Sequence, residues 1–438
     1  MMSNVSQSRP KANRAAGVWV PLLAGGLARE ALDVARSIAG TTDAGTDERS
    51  SPWYRRGSLS NGGGGLAVLY GYMAQAFPDE GWSGAAARSL DECIAALREQ
   101  QQEPFLYSGF SGIGWAAAHL DRCGLGVDAD CGDIDEAVAI LVRQSPCPYD
   151  YDLVRGVVGL GVYALERLPD AKAAECLELV VARLEETAVE VGPRLTWRSR
   201  PENIGEEGRK LTPRGHFNTG LAHGVPGVIA LLALIRNAGL CLPRCDRLLR
   251  GAVAWLLAQE LPAGAGSRFP AFFSEPCPPR PSRGAWCYGD PGVAAALLLA
   301  GVQTGERAWV DTATRIALEV ARRPPETQGV RDASVCHGAA GLAHLLNRIY
   351  QATGERELAE AACYWLRRTL EMRRQSSDKN GYRFLVATPD GTGLEWRGDR
   401  GLLTGTAGVA LVLLAAATPV MPAWDRMLLV DVPPLAAE

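Results

Sequence analysis

The sequence predicts an all-α fold, an α/α toroid of seven inner helices surrounded by seven outer helices. The first observation behind this prediction is a Gly-x-x-Gly pair followed by an apolar, Ala/Leu-rich run, which recurs seven times in the 438 residues. The second is that these runs alternate with amphipathic segments, and the third is that short and long connections alternate between them. Self-similarity of this kind is typical of repeat and toroidal architectures.

Each inner helix is predicted to begin at a glycine pair. The intervals between successive pairs run from 47 to 68 residues, so one unit is repeated with insertions of variable length. Runs such as residues 228–234 and 293–299 are hydrophobic nearly all round, which indicates helices buried on every side. We interpret the glycines as architectural. The pairs are Gly62/Gly65, Gly109/Gly112, Gly156/Gly159, Gly224/Gly227, Gly289/Gly292, Gly338/Gly341 and Gly405/Gly408.

The outer helices are predicted from segments that carry charge on one face only. The first outer helix is predicted near residues 22–40, and clear later examples are residues 85–100, 307–323 and 356–375. Connections from an outer to an inner helix are long, and such loops commonly carry binding groups. They gather where the inner helices begin, so we expect the functional mouth at that end. One of them, residues 192–218, is the candidate for a small inserted β element or lid.

The repeat runs from near the start to near the end of the sequence, which predicts a single domain, and the 47% of apolar residues can fill its core. We expect a toroid over residues 20–420, a flexible segment over residues 1–19 and a tail over residues 421–438. The net charge of −4 provides no basic surface for nucleic acid. Residues 405–421 are interrupted by Gly408 and Pro419, which favours a buried helix over a membrane span. The N-terminal segment lacks a secretory apolar stretch, and eleven scattered cysteines fit a reducing cytosol.

Three residues in the long loops have the chemistry of a zinc site. Cys287 stands two residues before the first glycine of its repeat, Cys336 occupies the same position in the next repeat, and His337 follows it. Equivalent positions in neighbouring repeats are expected to converge at one mouth. Two thiolates and one imidazole suit Zn²⁺ and leave a fourth tetrahedral position open. The two cysteines lie 49 residues apart, which excludes a compact zinc finger.

Two further polar residues are expected to face the same pocket. His223 stands directly before its repeat glycine, and Asp152 stands four residues before its own. His119 and His344 fall within inner-helix runs, so we interpret both as structural. Among the remaining cysteines only Cys277, in a long loop, is of interest as a reactive thiol.

The ligand set indicates what the metal would do. Two thiolates and a neutral imidazole offset the +2 charge, so the zinc would be a modest Lewis acid. It would still deprotonate a bound thiol, and the thiolate would keep enough electron density to attack carbon. The sequence has no His-Glu-x-x-His pattern. These features favour thiol alkylation or addition over amide hydrolysis.

Three motifs on this repeat, GLAHG at residues 220–224, WCYG at 286–289 and CHG at 336–338, resemble those of the lanthionine synthetase C-like family. The resemblance covers nearly the whole chain and implies a zinc-dependent lanthipeptide (lantibiotic) cyclase. In that reaction a peptide cysteine thiol adds to the β-carbon of dehydroalanine or dehydrobutyrine and forms a (methyl)lanthionine thioether ring. The resemblance implies one Zn²⁺ per chain, held by Cys287, Cys336 and His337.

The resemblance also assigns catalytic residues. His223 matches an acid/base histidine, Asp152 its acidic partner, and Arg283 and Tyr288 further active-site positions. Either His223 or Asp152 would take up the thiol proton. Arg283 would stabilise the enolate oxygen, and protonated His223 would deliver a proton to the α-carbon.

The implied substrate is a dehydrated precursor peptide, and the implied partners are a separate dehydratase and a peptide exporter, without nucleic acid. The expected location is the cytoplasm, with peripheral attachment at the membrane through a biosynthetic complex left open. Three alternatives also stay open. The first is a related zinc enzyme that adds glutathione to dehydroamino acids in proteins. The second is a toroid without zinc chemistry, such as a terpenoid cyclase or a glycosidase; the paired carboxylates of a glycosidase would have to come from Asp152 and Asp290, neither of which has an evident mate. The third is a peptide-binding scaffold with structural zinc.

Overall fold

Inner and outer helices alternate along the chain, which confirms the predicted α/α toroid. The computed structural model describes residues 18–41, 56–99, 102–125, 130–204, 206–274, 278–375, 381–388 and 393–435. The helices in these ranges are α1 (Gly25–Ala39), α2 (Gly63–Ala76), α3 (Trp82–Leu97), α4 (Phe110–Arg122), α5 (Gly132–Arg143), α6 (Val157–Arg167), α7 (Ala171–Thr187), α8 (Glu206–Leu211), α9 (Val225–Asn237), α10 (Leu242–Leu257), α11 (Asp290–Thr304), α12 (Arg307–Arg322), α13 (Ala339–Thr353), α14 (Arg356–Arg374) and α15 (Thr406–Ala417).

Helices α2, α4, α6, α9, α11, α13 and α15 form a closed inner ring, in which each helix contacts the next and α15 contacts α2. Each later outer helix packs on the inner helix that precedes it, and α1 packs on α15. Burial follows this arrangement. Every residue of α15 from Thr406 to Ala416 is buried, whereas α12 buries one stripe that includes Val310, Ala313 and Ala317.

The second glycine of each pair lets the preceding loop lie across the first turn of the inner helix. A Cβ atom on Gly112 would come within 1.9 Å of the Leu106 carbonyl oxygen, and one on Gly341 within 1.8 Å of the Val335 carbonyl oxygen. The same contact, to the carbonyl six residues earlier, recurs at all seven second glycines. The repeat therefore specifies a close backbone approach that only glycine permits. It also brings every outer-to-inner loop to the same end of the ring.

Short β-strands lie in the loops at the end of the ring where the inner helices begin. The strands are β1 (Val189–Val191), β2 (Arg194–Thr196), β3 (Arg198–Ser199), β4 (His216–Asn218), β5 (Phe272–Phe273), β6 (Phe384–Ala387) and β7 (Leu394–Arg397). Strands β1 and β2 form an antiparallel hairpin, β4 pairs with both β3 and β5, and β6 pairs with β7. The candidate insertion is thus a hairpin, α8 and a strand, fastened by β5 to the next long loop. The β6–β7 hairpin is an additional element that the sequence analysis did not identify.

Residues 423–432 pack inside the toroid. Residues Ala423–Leu428 form a 3₁₀ turn in which Trp424, Asp425 and Met427 are buried. The Tyr107 hydroxyl donates to the Met427 carbonyl at 2.7 Å, and the Trp286 indole donates to the Leu428 carbonyl at 3.0 Å. Because Trp286 directly precedes Cys287, this C-terminal plug (residues 423–432) supports the backbone of the mouth from inside the ring.

A buried polar layer holds the plug. Asp425 has no exposed surface, and its carboxylate accepts hydrogen bonds from His344 and Arg348, each at 2.7 Å. A second network touches the same plug: His119 bridges Tyr72 at 2.9 Å and Glu166 at 3.0 Å, and Glu166 also pairs with Arg426 at 3.7 Å. Both histidines therefore take part in structural networks away from the mouth. No helix in the described ranges has the length and apolar character needed to cross a membrane.

Replacing Asp425 by alanine is expected to lower the free energy of unfolding by about 3–5 kcal/mol, because Arg348 would remain buried with much of its charge uncompensated. Urea unfolding measures this loss. The control is Asp311→Ala, which breaks an exposed pair with Arg307 and should change stability by about 0.5 kcal/mol or less. Similar losses in the two variants would contradict a stabilising role for the polar layer.

Candidate metal centre and active site

The three predicted ligands come together where α11 and α13 begin. Ligand atoms of Cys287, Cys336 and His337 all lie within 4.8 Å of one another. The two loops are joined directly, since the Cys287 amide donates to the Cys336 carbonyl at 3.3 Å. The Cys336 amide in turn donates to the Leu403 carbonyl at 2.8 Å in the loop before α15. Neighbouring repeats thus present equivalent positions to one point.

The histidine of this cluster has the surroundings of a metal ligand. Its Nδ1 atom is buried and has no hydrogen-bond partner among the described residues. Its Nε2 atom lies 3.5 Å from Oδ2 of Asp332, which is itself buried. A carboxylate behind the imidazole commonly fixes the tautomer of a metal-binding histidine. With two thiols as neighbours, the residues present fit a Zn²⁺ ion.

Asp332 is a site residue that the sequence analysis missed. It accepts hydrogen bonds from the Ser334 amide at 2.9 Å and from the Leu385 amide at 3.1 Å. A signal was available in the repeat, because an Asp or Asn stands six residues before the first glycine in four repeats. In three of them, at Asn218, Asp332 and Asp399, the side chain accepts the amide two residues later. Of these three, only Asp332 has His337, the candidate ligand, beside it.

Proton sharing gives the two thiols different acidities. A hydrogen bond with Cys336, aided by His337 and Arg283, holds the pKa of the Cys287 thiol well below its usual range despite burial. The same hydrogen bond and burial raise the pKa of Cys336. Burial opposes charge on His337, yet Asp332 and Cys287 together raise its pKa to about 9. The cluster therefore favours negative charge on the Cys287 sulfur, which a bound cation would stabilise.

His223 and Asp152 form the second part of the site. His223 Nδ1 lies 2.7 Å from Asp152 Oδ2, and the Arg155 amide donates to Asp152 Oδ1 at 2.6 Å. Although burial opposes the charged imidazole, this carboxylate raises the pKa of His223. The histidine side chain is 32% exposed, so it is accessible from the mouth while its inner nitrogen is held.

Arg283 and Tyr288 connect the two parts. The Arg283 guanidinium approaches the Cys287 sulfur at 3.6 Å. The Tyr288 ring stacks on the His223 ring, with centroids 5.5 Å apart and planes inclined by 21°. Burial raises the pKa of Tyr288, which keeps its hydroxyl neutral. All seven residues selected from the sequence are thus linked by contacts or chain adjacency at one mouth, and their roles remain proposals.

A cavity of about 560 Å³ adjoins this mouth. Its wall combines Arg283 and Tyr288 of the site with residues of the insertion and of β5, among them Leu211, His216 and Phe272. We call it the side cavity. The sequence analysis did not predict it, because its walls come from separate segments. The insertion and β5 meet in the β3–β4–β5 sheet, and the segment around Gln328 is joined by the Gly284 amide, which donates to the Gln328 carbonyl at 2.7 Å.

The remaining candidates do not join the site. Asp290 is buried, accepts the Phe269 amide at 3.0 Å and forms an ion pair with Arg323 at 2.5 Å. It therefore fastens the loop before α11, and it is not the carboxylate mate of Asp152 that a glycosidase would need. Cys277 lies outside the described residues.

Comparisons with known proteins agree with this architecture. The profile of the lanthionine synthetase C-like proteins matches residues 54–429. The nisin biosynthesis protein NisC of Lactococcus lactis subsp. lactis is 25% identical over 263 residues, which are 54% of this chain and 60% of that relative. The match thus spans less than two thirds of the relative's length. The solved structure of nisin cyclase superposes with a TM-score of 0.72 at 19% identity, covering 91% of this chain and 96% of that one. The chain belongs to the lanthionine synthetase C-like family.

Proposed function

We propose that this protein is a zinc-dependent lanthipeptide cyclase. The reaction is the addition of a peptide cysteine thiol to a dehydroalanine or dehydrobutyrine of the same peptide, which gives a thioether ring. The observation that carries the proposal is the cluster of Cys287, Cys336 and His337 beside the His223–Asp152 pair. Membership in the lanthionine synthetase C-like family and the similarity to NisC support the same chemistry.

The metal would be held by Cys287, Cys336 and His337, one ion per chain, with Asp332 orienting the imidazole. When bound there, Zn²⁺ lowers the pKa of a thiol that reaches its open position, so that the thiol is ionised at neutral pH. The protein's own contribution is to hold two sulfur atoms and one nitrogen in place. Arg283, at 3.6 Å from the Cys287 sulfur, adds a positive charge to this environment.

The His223–Asp152 pair would handle the proton. Both oxygens of Asp152 are engaged, one by His223 and the other by the Arg155 amide, which favours His223 over Asp152 as the proton carrier. In the balanced reaction a C–S bond forms, the C=C π bond breaks, and the thiol proton ends on the α-carbon. Asp152 keeps the imidazole oriented and stabilises its protonated form, as a carboxylate does for other acid/base histidines.

Arg283 and Tyr288 would act on the other reacting groups. After sulfur attack, negative charge develops on the oxygen of the enolate, and Arg283 is the guanidinium closest to the ligand cluster among the described contacts. A cation fixed in a partly dry site stabilises such charge more strongly than water does. The stacked ring of Tyr288 restricts the orientation of His223, so we propose that Tyr288 acts mainly by positioning the imidazole.

The substrate chemistry places two conditions on the surroundings. A dehydration of peptide serine or threonine must come first, because it creates the electrophile, and we propose that a separate dehydratase performs it. The substrate thiols and the ligand cysteines must also stay reduced, which favours the cytoplasm as the location.

The test is to incubate a dehydrated, cysteine-containing precursor peptide with the wild-type protein and with Cys287→Ala. Ring closure leaves the peptide mass unchanged, so free thiols are counted by alkylation and mass spectrometry. The wild type should consume thiols much faster than the variant. Equal consumption by the two proteins would reject the proposed cyclase.

Replacing Asp332 by asparagine should weaken zinc binding by about 10- to 100-fold, since the amide is a poorer acceptor behind the His337 imidazole. Competition with a chelator of known affinity measures this change. The matched control is Asp399→Asn, which alters the equivalent turn in the next repeat and should leave zinc affinity within about threefold. If both variants lost zinc affinity equally, the effect would come from the altered turn and not from the contact of Asp332 with His337.

A further inference from the structure

The side cavity continues directly from the active-site mouth. It shares Arg283 and Tyr288 with the site described above, and its volume of about 560 Å³ is within the usual range for ligand pockets. A molecule that reacts beside Cys287 therefore reaches the side cavity without leaving the site. The cavity is thus in a position to contact parts of the substrate that do not react.

The outer wall of the side cavity is built by the insertion. Helix α8 folds back closely on Ile204, since a Cβ atom on Gly208 would come within 2.3 Å of an Ile204 methyl carbon. The sheet formed by β3, β4 and β5 then fastens this insertion to the loop that carries Arg283. His216 and Phe272 meet in this sheet, with ring centroids 5.0 Å apart. The wall is therefore fixed by the contact of α8 with Ile204 and by the strand pairing of the sheet.

The lining of the side cavity is mainly apolar. Ile204, Leu211 and Phe272 contribute large side chains. Leu211 is 62% exposed, and it is the last residue of a short helix in which most other residues are charged. Large exposed apolar groups in a concave wall are typical of binding surfaces. His216 adds no charge at neutral pH, because burial and the nearby His223 lower its pKa to about 4.

We propose that the side cavity binds an apolar side chain of the peptide, branched aliphatic or aromatic, that directly flanks the reacting cysteine. This inference rests on the proposed cyclase function and names the substrate feature that the site selects. Burial of one such side chain is expected to raise kcat/KM by about 10- to 100-fold over glycine. The insertion would thereby determine which cysteine of a precursor enters the metal site.

The experiment uses synthetic peptides that contain one dehydroalanine and one cysteine and differ only in the residue flanking the cysteine, which is Leu, Phe, Gly or Asp. With wild-type protein, the Leu and Phe peptides should cyclise about 10- to 100-fold more efficiently than the Gly and Asp peptides. Leu211→Asp should reduce this preference to about twofold. The matched control is Val191→Asp, an exposed residue (45%) of strand β1 that adjoins the insertion and is not among the residues lining the cavity, and it should retain the preference.

A second variant, Ile204→Asn, alters another residue of the cavity wall. The inference would be overturned if both Leu211→Asp and Ile204→Asn kept the preference for the Leu peptide. It would also be overturned if the wild type preferred the Asp peptide. Peptides with serine in place of dehydroalanine give a readout independent of activity, with binding followed by fluorescence anisotropy. Cyclisation of all peptides at equal rates would reject the side-cavity inference and leave the cyclase intact. If no peptide cyclises, but the protein binds the Leu peptide selectively and Leu211→Asp abolishes this binding, the cyclase function is rejected and the side-cavity inference is supported.

Discussion

The Cys287→Ala variant is expected to contain almost no zinc and to lose the catalysed part of thioether formation. Two ligands, Cys336 and His337, cannot hold the ion as three do, and the sulfur that carries the low pKa in the cluster is gone. A metal that stabilises charge contributes several kcal/mol to a reaction of this kind, so kcat/KM should fall by about 10³-fold or more. Metal analysis by mass spectrometry and thiol counting on a dehydrated peptide measure the two losses.

A cysteine outside the site supplies the control for this variant. Cys363, on outer helix α14, is half-buried, and its sulfur contacts the Leu22 carbonyl far from the mouth. Cys363→Ala should retain about one zinc per chain and unchanged cyclisation. If Cys287→Ala retained its zinc and its rate, the metal centre would have to be located elsewhere.

The His223→Gln variant is expected to keep its zinc and to lose about 10²- to 10⁴-fold in kcat, the usual contribution of a general acid/base group. Glutamine can still hydrogen-bond to Asp152, but it cannot carry a proton between sulfur and the α-carbon. The zinc ligands and the side cavity are unchanged, so KM for the peptide should change little. Steady-state kinetics together with zinc analysis separate this effect from loss of the metal.

A double variant tests whether His223 and Asp152 act as one unit. Their contact at 2.7 Å predicts that His223→Gln combined with Asp152→Asn is hardly worse than His223→Gln alone, because a positioning carboxylate has no function without its imidazole. Fully additive losses would show that Asp152 acts on the substrate independently. A kcat for His223→Gln within about threefold of wild type would remove His223 from the mechanism.

Repetition is the reason that so much of the site could be predicted from the sequence. Equivalent positions of a closed ring face one mouth, so the offsets of Cys287, Cys336 and His223 from their glycines were sufficient to bring them together. The glycine spacing also indicated the inner helices. Asp332 was detectable by the same logic, since it occupies the position six residues before its repeat glycine, where other repeats also carry Asp or Asn.

Features that do not repeat could not be predicted in this way. The sequence predicts only a tail where the structure has the C-terminal plug, because His344 and Arg348, which hydrogen-bond to Asp425, are 77 or more residues away in the chain. The side cavity depends on the pairing of Phe217 with Phe273, which belong to different loops. In both cases short segments gain their structure from distant partners, and local patterns carry little information about such partners.

The most direct test of the account is a mass spectrum of a dehydrated peptide with one cysteine, treated with zinc-loaded protein in the presence of glutathione. The cyclase account predicts an unchanged peptide mass, loss of the free thiol and dependence of this loss on Cys287 and His223. A peptide that gains the mass of glutathione and keeps its own thiol free, or one that the protein leaves unreacted, would contradict it.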